Sequence, residues 1–329
     1  MPLINHCNGG GGTPQLCGQV ENFKAGLGNL SAILSWTAPN PDEDNSFVGA
    51  RIVRKIGSAP TGINDGTVVY EGTALSYTDT GLTYGTTYYY RAFAYNAKKK
   101  YQTEYRVASL KTIDSNFADN TWEQIIEACH SGNVPDTWVA GDSKTMTIDG
   151  VNYQFDIVGK NHDTYTAGGI APLTFGLHDC YGTKYPMNSS DSNKTGWDGS
   201  KMRTETLTAI FAKMPVNIQN GIRAVNKLTA TSGTSSTIKT ISDKLFTFSE
   251  MEVSGRATYS FEDEGEQYDY YKAGNSKVKK VGSDASKWWL RSPSGALYGD
   301  GLFCVVNTGG SIRYDGASAS NGVCFGFCF

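Results

Sequence analysis

A chain of 329 residues with a formal charge of −3 has room for two domains and lacks the broad positive field that condenses on a phosphate backbone, which argues against nucleic-acid partners. With 39% hydrophobic residues, 38 glycines and 10 prolines, the composition suits turn-rich β structure rather than a disulfide-stapled miniature. No apolar run approaches the ~20 residues that span a bilayer, and Met1-Pro2-Leu3-Ile4 lacks the basic region and apolar core of a secretory signal, so neither membrane insertion nor classical export is expected.

Residues 1–18 read as a flexible glycine-rich segment. Cys7 and Cys17 flank a tract of four glycines, where a local disulfide or a metal clip with His6 is a minor alternative; three ligands do not close a structural zinc site, and no metal is expected. From 19 to 112 the pattern is that of short alternating strands. Leu30, Ala32, Leu34 and Trp36 fall on alternate positions, turn residues at 38–44 interrupt them, and alternation resumes over 48–54. Further strands are predicted at 67–71, 76–79, 82–88 and 89–96. A Trp in an early core strand, Trp36, and a Leu six residues ahead of a Tyr, Leu82 and Tyr88, resemble a fibronectin type III domain. The resemblance implies an all-β, Ig-like sandwich acting as a spacer or adhesive module.

A polar linker is predicted at 113–120. Helical periodicity starts at Thr121, whose spacing to Gln124 is that of a capping box. Trp122, Ile125, Ile126 and Cys129 then share a face that ends by Gly132. A second helix is predicted over 202–213, stopped by Pro215, with β-like pieces at 144–148, 153–158, 173–177, 245–249 and 288–290. Two helices among many short strands predict an α+β domain over 121–329, with antiparallel sheets.

Few constellations in this second domain carry chemistry. The acidic run Glu262, Asp263, Glu264, Glu266 and Asp269 lacks the alternating ligands of a calcium loop and reads as solvated. His162-Asp163 and His178-Asp179, with Cys180, could suggest a hydrolase or metal site, but neighbours in an extended chain point apart, whereas nucleophile and base must converge. Cys324 and Cys328, four apart in a predicted strand, share a face and read as small buried hydrophobes. There is no phosphate-binding loop, zinc-finger spacing or dinucleotide fingerprint. Neither a catalytic residue nor a cofactor is expected.

The C-terminal region is the most informative. Trp288-Trp289 with Arg291-Ser292-Pro293, the aromatic ending at 322–329, and upstream pieces at 158–163, 177–180, 186–190 and 271–278 resemble the C-type-lectin-fold variable proteins of diversity-generating retroelements, many of them prophage-encoded. In that family an error-prone reverse transcriptase replaces the 3′ end of the gene, with Asn codons as hot positions. Randomising the first two bases of such codons never yields Lys, Glu, Gln, Met or Trp. These five types make up 51 of the 329 residues, yet none occurs from Leu290 to Phe329, an absence expected by chance about once in a thousand on composition alone.

The resemblance therefore implies a variable region at about 290–321. Within it, strand-like apolar positions face the core, while loops or exposed strand edges rich in Tyr, Arg, Ser, Gly and Asp have the composition of a paratope. The candidate ligand contacts are Leu290, Ser294, Gly295, Ala296, Leu297, Tyr298, Gly299, Asp300, Leu302, Asn307, Ser311, Ile312, Arg313, Tyr314, Asp315, Ser318 and Ala319; Trp288, Trp289, Arg291, Phe325 and Phe327 are the scaffold. The expected function is non-enzymatic binding of a protein or glycan on a target cell surface. The start at 4–10 resembles prophage structural proteins, which implies a phage tail or other extracellular surface and other virion proteins as partners of the N-terminal segment. Two alternatives stay open: an enzyme of the formylglycine-generating type, which shares the fold and uses a cysteine pair, and a constitutive carbohydrate-binding lectin.

Overall fold

Alternating apolar residues need two facing surfaces to bury them, and the computed structural model, which describes residues 17–40, 46–295 and 298–329, supplies these in two units, Met1–Asp114 and Ser115–Phe329. The first unit contains β1 (Glu21–Gly28), β2 (Ser31–Thr37), β3 (Phe47–Ile56), β4 (Thr67–Gly72), β5 (Ser76–Thr80), β6 (Thr87–Asn96) and β7 (Arg106–Lys111). They form two antiparallel sheets, β1-β2-β5 and β4-β3-β6-β7. This is a fibronectin III/Ig-like sandwich. Ala32, Leu34 and Trp36 of β2 face Ile52, Tyr90 and Ala92 across the core, as the alternation predicts.

The Leu82–Tyr88 corner forms as expected. Leu82 and Tyr88 are buried, and the Thr83 N–H donates to the Tyr88 hydroxyl at 3.0 Å. Residues 82–86 are not a strand, however, because Gly85 turns the chain in the left-handed region. β1 and β7 were not separately legible, since both are half-exposed edge strands with weak apolar alternation. Cys17 does not belong to the flexible segment predicted at 1–18: it is fully buried in the sandwich core and its carbonyl accepts from Gln102. Cys7 and His6 lie outside the described residues, as does the rest of the predicted N-terminal segment up to residue 16.

The boundary at Asp114 replaces the predicted linker at 113–120. Ile113 is buried in the first unit, and Phe117 is buried in the second against Trp138 and Phe175. The capping box at Thr121 opens α1 (Trp122–His130), with the Thr121 hydroxyl accepting from Gln124 and the Gln124 side chain accepting from the Thr121 N–H. Then come β8 (Ser143–Ile148), β9 (Val151–Lys160) and β10 (Leu173–Leu177). The helix predicted at 202–213 is present as a wide π turn, Met202–Thr206, running into α2 (Leu207–Phe211). Pro215 stops it and caps α3 (Val216–Gly221).

Next are the hairpin β11 (Val225–Ser232) and β12 (Ser235–Asp243), β13 (Phe246–Thr247), α4 (Glu250–Ser254), α5 (Asp269–Lys272), the hairpin β14 (Lys279–Val281) and β15 (Asp284–Ser286), β16 (Trp288–Pro293), β17 (Leu302–Val306), β18 (Ile312–Gly316) and β19 (Phe325–Cys328). The piece predicted as a strand at 245–249 is shorter than expected, because Ser249 caps α4 with Glu252 in a second capping box. The pairings between the named strands of this unit are antiparallel among the described residues, as anticipated.

The main sheet runs β13-β19-β10-β9-β8, so the last strand of the chain lies inside it. Residues Val323, Cys324, Phe325, Phe327, Cys328 and Phe329 are all 0% exposed. Phe325 and Phe327 pack on Phe155, with ring centroids 5.8 and 5.3 Å away. A separate sheet, β16-β17-β18, carries the candidate site.

Candidate ligand-binding site

β16 is buried along its whole length, and β17 along all but Leu302, so this pair supplies a rigid base. Trp288 and Trp289 are fully buried, and their indole N–H groups donate to the carbonyls of Lys277 and Tyr185 at 3.0 and 2.7 Å. Among the described strands β18 pairs with β17 alone and forms the open edge. Its residues and the loops beside it therefore reach solvent.

Tyr298, Gly299, Asp300, Ser311, Arg313, Tyr314 and Ser318 are exposed. Gly295, Leu302, Asn307, Ile312, Asp315 and Ala319 are half-buried. Two expectations need correction: Leu290 and Ser294 are 0% exposed and cannot reach a ligand on this surface. Leu290 lies mid-strand in β16, which is covered on both faces, and Ser294 is drawn inward, its hydroxyl donating to the Tyr259 carbonyl at 3.3 Å. Ala296 and Leu297 lie outside the described residues.

Several half-buried candidates brace the surface. The Asn307 side chain accepts from the N–H groups of Gly309 and Ser311, closing a turn. Asp315 pairs with Lys287 at 3.0 Å and accepts from Asn321. Asn193, outside the predicted region, donates to the Ser294 and Leu302 carbonyls, and Asp191 accepts from the N–H and hydroxyl of Ser318. These tethers tie the loops to neighbouring segments.

The exposed part is organised around three tyrosines. Tyr259, Tyr298 and Tyr314 meet mainly edge to face, with centroids 5.2 to 5.4 Å apart, and Arg313 donates to the Tyr259 hydroxyl at 3.2 Å. Such contacts hold the rings without covering them: Tyr298 and Tyr314 stay 38% and 39% exposed. Tyr259 was not legible as part of the site, because it comes from a different segment with no periodic signal. Its position is set by Glu250, a fully buried carboxylate that accepts from the N–H groups of Thr258, Tyr259 and Ser260. Beside Tyr259 lies an open cavity of about 420 Å³ lined by Arg256, Lys277 and Arg313 together with Thr258, Ser311 and Ile312.

Beneath the site is a buried ionic network. Arg291 forks onto Glu252 and donates to the carbonyls of Thr247, Leu228 and Glu264. Lys227 bridges Glu252 and Asp163 at 2.6 and 2.7 Å and donates to Tyr268, whose hydroxyl donates to Asp163. Burial opposes ionisation of Glu252 and Asp163, but the Arg291 and Lys227 charges outweigh it and hold both carboxyls below the usual range. Glu264 departs from the solvated loop expected for the acidic run: it is 0% exposed, accepts from the Ala230 N–H, and its pKa is pushed up by burial.

The other titratable candidates do not converge as a sequence pair would suggest. His162 stacks on Tyr268 with its ring nitrogen 3.8 Å from Asp163, while His178 pairs at 2.8 Å with Asp156 of the adjacent β9 rather than with Asp179. That hydrogen bond raises the His178 pKa. Cys180, Cys324 and Cys328 are buried thiols, and burial lifts the pKa of each, that of Cys324 to about 11. Cys324 lies just before β19 and donates toward the Leu177 carbonyl, while Cys328, within it, approaches the Thr174 hydroxyl. No group of three or more metal-ligating side chains occurs among the described residues.

The chain is similar over 30% of its length to a solved structure described as FN3tt mut, at 17% identity, 97% coverage of that chain and a TM-score of 0.23. It is also similar over 29% of its length to the Clostridium perfringens spore cortex lytic enzyme SleM, at 14% identity, with 28% of that chain covered and a TM-score of 0.23. A third likeness, over 60% of its length, is to the twitchin kinase region from C. elegans, at 12% identity, with 46% of that chain covered and a TM-score of 0.22. The chain thus spans well under two thirds of the second and third of these proteins. No curated protein matches it. Residues 173–328, which include the whole candidate site, match the model of a family described as a domain of unknown function, DUF6273.

Proposed function

We propose that this protein is a non-enzymatic binding protein: a fibronectin III-like stalk followed by a C-type-lectin-like head, whose surface at about 290–321 is diversified by a retroelement and displayed on a phage tail or other extracellular surface. The observation that carries the reading is the contrast between Tyr298, Arg313 and Tyr314, all exposed, and the fully buried β16 and nearly buried β17 that support them. Exposed substitutions usually change stability by less than about 0.5 kcal/mol, so such a surface can vary without loss of the fold. Tyr and Arg also dominate binding hot spots. The buried, weakly acidic thiols of Cys324 and Cys328 further favour binding over cysteine chemistry.

The test is sequencing of the gene and its flanks across a population of the source organism. Substitutions concentrated in the codons of exposed residues after Pro293, beside a near-repeat and a reverse-transcriptase gene, are expected. A tail that varies no more than α1 and β9 would end the diversification reading.

A further inference from the structure

We infer that the cavity beside Tyr259 is an oxyanion subsite, built to take the phosphate or sulfate ester group of a small hydroxylated ligand. The inference rests on the binding function proposed above and names its ligand chemistry. Three cations, Arg256, Lys277 and Arg313, line one cavity of about 420 Å³, and no acidic residue lines it among the described residues. None of the three forms an ion pair with a carboxylate among the described residues, whereas Lys287 is paired with Asp315 of β18. Like charges gathered without a counter-charge repel one another, a cost that a bound dianion removes.

The rest of the lining fits an ester rather than an apolar group. Thr258 and Ser311 add hydroxyls, Gly310 leaves room, and among the described residues Ile312 is the one aliphatic side chain in the lining. The carboxylate behind this wall, Glu250, is engaged by three backbone N–H groups and by the weak Cys304 thiol contact. Tyr259 belongs to both the cavity and the tyrosine cluster, so a ligand anchored by its anion lies against the exposed rings of Tyr298 and Tyr314. Arg256, Tyr259 and Lys277 precede residue 290, whereas Arg313 falls inside the expected variable span. The anion anchor thereby comes mostly from fixed residues and the discrimination from changing ones.

The test titrates the full chain with glucose 6-phosphate, glucose, inorganic phosphate and a phosphoserine peptide, following tyrosine fluorescence or amide chemical shifts of residues 254–259 and 310–314. Glucose 6-phosphate is expected to bind and glucose not. Arg256→Gln or Lys277→Gln should weaken binding roughly threefold to fivefold each, and the double variant about tenfold, with affinity falling as salt rises. Unchanged unfolding midpoints will confirm that these exposed or half-exposed substitutions leave the fold intact. Inorganic phosphate binding as tightly as the ester supports the subsite and assigns the free anion as its ligand. The inference is overturned if glucose binds as well as its phosphate, if the double variant binds normally, if only the peptide binds, or if no probe binds up to about 10 mM. Population sequencing reads the diversification separately: an invariant tail with intact phosphate binding ends the latter reading and keeps the subsite, and the reverse result does the opposite.

Discussion

Arg291 offers the sharpest test of how the second unit holds its candidate surface. Its guanidinium is 0% exposed, forks onto Glu252 and donates to three backbone carbonyls, those of Thr247, Leu228 and Glu264. Arg291→Met removes all of these donors at once and leaves the buried Glu252 facing Lys227 alone. Stripping one partner from a buried pair costs about 3–5 kcal/mol, a large part of the ~5–15 kcal/mol that a folded domain commands. Glu252→Gln, which keeps an acceptor for the Ser249 N–H in the capping box, should cost less. Because the charges compensate, the double variant should recover about 1–3 kcal/mol relative to the sum of the singles. Urea unfolding followed by tryptophan emission measures this, since Trp122, Trp138, Trp197, Trp288 and Trp289 all report on the second unit. Strict additivity of the two substitutions would refute the idea of a coupled network.

Four further outcomes follow from the same geometry. Tyr298→Ala and Tyr314→Ala should each shift stability by less than about 0.5 kcal/mol yet cost about 2 kcal/mol or more in binding once a ligand is in hand, as calorimetry would show. Gly326→Ala places a Cβ 2.8 Å from the Phe175 carbonyl oxygen and 3.0 Å from the Phe246 and Phe248 rings, so thermal unfolding should reveal a loss of about 1–3 kcal/mol. Tyr88→Phe removes the acceptor for the Thr83 N–H; that amide should exchange faster, and the first unit should lose about 1 kcal/mol. Depressed carboxylates and a raised histidine give opposite pH slopes. Asp163 and Glu252 stabilise the head above an unfolded carboxyl pKa of about 4, and this is lost as pH falls through their lower folded values. The His178–Asp156 pair stabilises below about pH 6.5 and is lost as pH rises through the raised folded pKa; solvent screening keeps it under about 1 kcal/mol, and His178→Gln should flatten that limb of the urea profile.

The features legible along the chain are those that local rules govern. Alternation placed β2, β3, β5 and β6, the Thr121–Gln124 spacing placed α1, and the aromatic terminus announced a buried strand. Each depends on neighbours within a few residues, where periodicity and capping act. The sequence also marked Tyr298, Arg313 and Tyr314 as surface candidates from residue type and the lack of a strand period. Only tertiary structure decided which candidates reach solvent. Leu290 and Ser294 are of residue types that suit a contact surface, but Leu290 lies within the fully buried β16 and Ser294, just past its end, is drawn inward to the Tyr259 carbonyl. Tertiary structure likewise brought Arg256, Tyr259 and Lys277 to residues 310–314, gave His178 the partner Asp156 across two paired strands, and joined Asp163, Lys227, Glu252 and Arg291 into one network. These contacts join side chains from separate segments. No single-segment pattern encodes them, because their energy comes from burial and charge pairing that exist only once the sheets have packed.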